Sequence, residues 1–131
     1  MERLVLKYQN ALKALGTLKD ILEEPFSVIV RDAAIQRFEY TFEAFWKFLR
    51  EYLKEKEGII ANSPKSCFRE TFSIGYLNEE ETIRFLEMTD KRNATSHTYK
   101  EEVAEAIYAS LKEYTEAMEN LLTKFSSINS S

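Results

Sequence analysis

From Leu4 the apolar positions Leu4, Tyr8, Ala11, Leu15, Leu18 and Leu22 fall alternately four and three residues apart, the spacing of one stripe on an α-helix. Pro25 stops this helix, because it disfavours helical geometry at the residue before it and has no backbone donor. Burial against the next helix explains the stripe more simply than a free interaction face. Ser27 can cap a second, long helix, in which Ile35, Phe38, Phe42, Phe45, Leu49 and Tyr52 repeat the same spacing. Tyr40, Trp46, Phe48 and Leu53 project from other faces of it, so this helix is either surrounded or shared with a second subunit. An aromatic series of this kind can stack bases, but its heptad spacing makes packing the better account.

Gly58 offers a left-handed cap after Glu55-Lys56-Glu57, residues 59–63 form a connection, and Ser63-Pro64 reads as cap and first turn of a short helix through Ile74. Cys67 lies near the start of that helix, where the helix field favours thiolate, yet it has no local Cys or His partner and is better read as a small packing residue. Gly75 ends the segment. Asn78-Glu79-Glu80-Glu81 is a capping-box pattern opening a helix from about Glu79 to Arg92, with Ile83, Leu86 and Met88 expected inside and Glu79, Glu80 and Arg84 outside. No ligand spacing among these carboxylates suggests a metal site. Thr98 with Glu101 suggests a second capping box before Val103, Ile107, Leu111, Tyr114, Met118, Leu121 and Phe125, and the polar tail 126–131 is expected to fray. The pattern predicts an all-α protein: one domain, 1–131, forming an antiparallel up-and-down bundle of four to five helices.

Composition supports this, with 44% hydrophobic and 31% charged residues but only 3 Gly and 2 Pro among 131. The single Cys and the amphipathic, charged beginning of the chain lead us to expect a reducing, cytoplasmic setting, and no apolar run approaches a membrane span. A net charge of −4 argues against a broad nucleic-acid-binding field, while leaving room for a local cationic pocket, a small nucleotide or a protein partner.

The candidate chemistry is concentrated in Arg92-Asn93-Ala94-Thr95-Ser96-His97-Thr98-Tyr99, which holds the only histidine. Histidine exchanges protons near neutral pH, and arginine grips phosphate oxygens in two-pronged fashion. If a helix starts near Thr98, then His97, Thr98 and Tyr99 lie at an anion-attracting N-terminus, and Arg92 can close over the same phosphate without a metal or other cofactor. His97 could then take the proton of a ribose 2′-hydroxyl while Arg92 stabilises the five-coordinate phosphorus. On spacing alone a plainer account is favoured, in which Arg92 and His97 satisfy loose carbonyls and nearby acids at a helix junction, and Asn93, Thr95, Ser96 and Thr98 serve as caps and turns.

The run from Arg92 to Tyr99 resembles the signature of the HEPN superfamily, specifically its minimal nucleotidyltransferase-partner branch of HepT-like toxins, also called nucleotidyltransferase substrate-binding proteins. Arg37-Phe38-Glu39-Tyr40-Thr41-Phe42-Glu43-Ala44-Phe45-Trp46-Lys47 is similar to the aromatic helix of that branch, and Ser63-Pro64 with Gly75-Tyr76-Leu77 falls where the family places its middle helix. The resemblance implies a homodimer that joins two copies of Arg92 and His97, and a small nucleotidyltransferase as partner. It further implies metal-independent ribonuclease activity by Arg92 and His97, with Asn93 and Ser96 in support, and silencing by adenylylation of Tyr99. The older family name implies the alternative of a non-catalytic subunit that presents a nucleotide or other substrate to the nucleotidyltransferase.

Overall fold

The computed structural model describes residues 2–130, and every regular element among them is helical. Helices α1 (Glu2–Leu22) and α2 (Val28–Tyr52) form an antiparallel pair, joined at one end by Arg3 Nε to Glu51 Oε1 at 3.0 Å. Farther along, Thr41 Oγ1 donates to Ala14 O at 3.1 Å and Arg37 Nη1 donates to Thr17 O at 2.7 Å. After a π-helical turn (Leu53–Glu57) come α3 (Pro64–Ser73), α4 (Glu79–Asn93) and α5 (Glu101–Lys124). Contacts of Arg84 with Glu113 and of Lys124 with Glu81 run α4 antiparallel to α5. Phe38 against Tyr114 and Phe48 against Phe125 run α2 parallel to α5. Thus α1, α2, α4 and α5 alternate in direction, with α3 inserted antiparallel to α4 through Phe68–Phe85 and Lys65–Asp90.

The local signals act as the residues dictate. Ser27 and Ser63 accept from the backbone N–H groups of Val30 and Ser66, and Asn78 with Glu81 forms both halves of a capping box. Gly58 takes the left-handed conformation at φ 67° that lets the π-helical turn close on Leu53 O. The core is aromatic: Phe68 stacks on Phe85 at 4.9 Å, and Phe85 on Phe45 at 5.4 Å. Trp46, Phe48 and Leu53 are buried within the chain itself, so α2 is surrounded by its own bundle on those faces, and Tyr40 stays exposed.

Three expectations are corrected. Ile83 is 48% exposed, and α4 instead buries Thr82, Phe85, Met88 and Thr89. The two threonines fit inside because their hydroxyls donate to the carbonyls of Asn78 and Phe85, four residues back. The tail expected to fray forms a 3₁₀ turn over Ser126–Ser130 whose Ile128 is only 6% exposed, while Asn129 meets Gln9 of α1; Ser131 lies outside the described residues. Finally, α5 starts at Glu101 behind Lys100, with no side-chain cap, so the Thr98–Glu101 capping box does not form.

Cys67 is fully buried, and that burial pushes its thiol up to about 12, with the charge of Arg50 only partly opposing the shift. The helix-start field therefore does not make a thiolate here. Native protein should resist iodoacetamide at pH 8 and react fully once unfolded; rapid labelling without denaturant would contradict this packing.

Candidate functional site

Arg92 stands on the last turn of α4, and the chain leaves it through a 3₁₀ turn, Ala94–His97. Thr95 is the buried pin of that turn, its hydroxyl donating to Arg92 O at 2.8 Å. Lys100 N–H then bonds to His97 O at 3.0 Å before α5 begins. These two tight turns occupy the residues expected to open α5. His97, Thr98 and Tyr99 therefore precede the helix, and the idea that they sit on its anion-attracting first turn is not supported.

The same turns bring His97 and Tyr99 together. Both are exposed, Tyr99 by 76%; the Tyr99 hydroxyl lies 3.4 Å from His97 Nδ1, and the rings meet edge-on at 5.9 Å. The ammonium of Lys100 sits 6.0 Å from the Tyr99 ring centre. Asn93 and Ser96 are exposed as well, and Ser96 Oγ reaches the backbone carbonyl of Asn93 only at 3.4 Å.

Arg92 turns toward α2. Its Nη2 is 3.4 Å from Glu43 Oε1, and its buried Nε has no hydrogen-bond partner among the described residues. Glu43 is the residue that sequence reasoning missed: it appears in the aromatic-helix motif, but nothing in its spacing shows that it meets Arg92. Its other oxygen accepts from Trp46 Nε1 at 3.2 Å, and Lys47 lies 3.8 Å away. Within one chain, then, the guanidinium is paired with α2 and the imidazole with Tyr99. An ion pair this long between partly exposed groups is worth at most about 1 kcal/mol, so an incoming phosphate can displace Glu43 at little cost. No helix among the described residues is long and apolar enough to cross a membrane.

Residues 5–127 match the family model described as nucleotidyltransferase substrate binding protein like. The chain is 32% identical over 85 residues to the probable ribonuclease HepT of Haemophilus influenzae, a match covering 62% of this chain and 57% of that protein. A crystal structure of a Thermus thermophilus protein superposes with a TM-score of 0.83 at 51% identity, covering 87% of this chain and 97% of the other. The chain in a crystal structure of a toxin–antitoxin MntA–HepT mutant superposes at 0.80 with 9% identity, covering 97% and 99%, a likeness of fold alone. With the bundle and nearly its whole length accounted for, the chain belongs to the nucleotidyltransferase substrate binding protein-like family.

Proposed function

We propose that this chain is a metal-independent ribonuclease, acting as a cytoplasmic homodimer and silenced when a partner nucleotidyltransferase adenylylates Tyr99. The observation that carries the reading is the exposed Tyr99 hydroxyl at 3.4 Å from His97, beside the turn that leaves Arg92. In cleavage, His97 takes the proton from a ribose 2′-hydroxyl, the 2′-oxygen bonds to phosphorus, and the 5′-oxygen leaves. Arg92, released from Glu43, pairs with the non-bridging oxygens as their charge grows. Dimerisation supplies a second imidazole to protonate the departing oxygen. In silencing, Tyr99 Oη bonds to the α-phosphorus of ATP, its proton is lost and pyrophosphate departs; the new phosphate then occupies the space beside His97. The match to the nucleotidyltransferase substrate binding protein-like family and the probable ribonuclease HepT among its relatives support this choice of partner and reaction.

Wild-type protein should degrade RNA in excess chelator, and lose that activity after incubation with its nucleotidyltransferase and ATP, with one adenylate found on Tyr99 by mass spectrometry. Modification elsewhere, or silencing without modification, would overturn the Tyr99 mechanism. The net charge of −4 and the pairing of Arg92 with Glu43 favour a second reading, a non-catalytic subunit that binds a nucleotide for its partner. Inert wild type that still binds nucleotide would establish that reading.

A further inference from the structure

Beside Arg92 the α2 surface forms an open groove of about 300 Å³ lined by Gln36, Glu39, Tyr40 and Glu43 together with Arg92 itself. These α2 positions follow helical spacing, so they form one continuous stripe, tied to α4 where Glu43 meets Arg92 and to α1 where Tyr40 meets Thr17. Tyr40 is the aromatic residue of α2 that the core leaves out, 44% exposed. It is nevertheless held firmly, since its hydroxyl bonds Thr17 Oγ1, which itself donates to Ala14 O at 2.7 Å. A fixed, exposed ring within one groove of a phosphate-gripping arginine is a stacking platform, and stacking tolerates any planar base.

We propose that this groove is the subsite for one nucleobase, next to the phosphate held by Arg92; the proposal rests on the reading of Arg92 as a phosphate ligand. Its volume lies at the lower bound for ligand pockets, about 300–1,000 Å³, which suits a single base better than a whole nucleotide. The carboxylates of Glu39 and Glu43 repel a second phosphate but accept hydrogen bonds from amino and imino groups. Guanine, adenine and cytosine present an exocyclic amino donor to such acceptors. Uracil flanks its one N–H with carbonyls, and these face the carboxylates unfavourably. The groove therefore selects amino-bearing bases, with Tyr40 supplying stacking and Glu39 supplying discrimination.

Nucleoside 3′-monophosphates, which cannot be cleaved, test this on the wild-type protein. Trp46 is the only tryptophan and donates to Glu43 at 3.2 Å, so its fluorescence reports on the groove. Guanosine 3′-monophosphate should bind about tenfold more tightly than uridine 3′-monophosphate. Tyr40→Ala should lose about tenfold for the guanosine compound, in line with the loss of one stacked base. Tyr40→Phe, which keeps the ring but frees it from Thr17, should lose less affinity than Tyr40→Ala. Glu39→Gln should narrow the guanosine-to-uridine ratio, whereas Arg92→Ala should weaken both ligands and leave the ratio intact. Equal affinities for the two nucleotides, or an unchanged Tyr40→Ala, would overturn the subsite even if RNA is cleaved. Base-selective binding by a protein that does not cleave RNA would uphold the subsite and sink the ribonuclease reading instead.

Discussion

His97→Ala is expected to reduce RNA cleavage by about 10²–10⁴-fold, the usual loss when a positioned general base is removed. Folding should be unaffected. His97 is exposed and its side-chain contact is with another exposed residue, Tyr99, so the stability change should lie within about 0.5 kcal/mol. A thermal melt run beside the activity assay separates chemistry from scaffold. A variant that melts like wild type and cuts like wild type would remove His97 from the reaction. One that loses both together would make it a structural residue of the turn. Arg92→Ala should also lose cleavage, by withdrawing the charge that pairs with phosphate oxygens, and it leaves Glu43 without its guanidinium partner.

Phe68→Ala should cost about 3–5 kcal/mol, a large share of the roughly 5–15 kcal/mol that holds a domain of this size together. Phe68 is fully buried, and its ring meets Phe42, Phe45 and Phe85 at 4.9–6.2 Å. Truncation therefore removes contacts to α2 and α4 at once, and the small α3 cannot collapse into the space without moving the loops at either end. Urea unfolding measures it. Ile83→Ala is the matched comparison: at 48% exposed it should change stability by no more than about 0.5 kcal/mol. A Phe68→Ala loss below 1 kcal/mol, or an Ile83→Ala loss above 2, would mean that α4 is packed on a different face.

The helix caps were legible because each is local chemistry. Ser27, Ser63 and the Asn78–Glu81 pair bond to backbone groups within the next turn, so their residue types and spacing carry the information. The long stripes of α1, α2 and α5 were legible for the same reason. What failed was decided at a distance. The rotation of α4 turns on Phe85 finding Phe45 and Phe68, and on threonines whose hydroxyls are silenced by their own helix, so a count of apolar letters favoured Ile83. Thr98 and Glu101 have the letters of a capping box, yet the buried Thr95 tightens the chain first and delays α5. The tail looked polar because a single residue, Ile128, anchors it. At the candidate site, Arg92, His97 and Tyr99 were singled out by chemistry and resemblance; the structure sets His97 beside Tyr99 and turns Arg92 toward Glu43. Glu43 and the Tyr40 groove could not be picked out, because their meeting with Arg92 is a tertiary contact between α2 and α4.

The most direct measurement is the chemistry of the RNA ends. Wild-type protein is incubated with a defined RNA in excess chelator, and the fragments are weighed by mass spectrometry. Attack by the 2′-oxygen under His97 and Arg92 predicts 2′,3′-cyclic phosphate on one fragment and a free 5′-hydroxyl on the other, with neither formed by His97→Ala. Fragments ending in 5′-phosphate and 3′-hydroxyl, or no fragments from unmodified wild-type protein, would contradict the assignment of this reaction to Arg92 and His97.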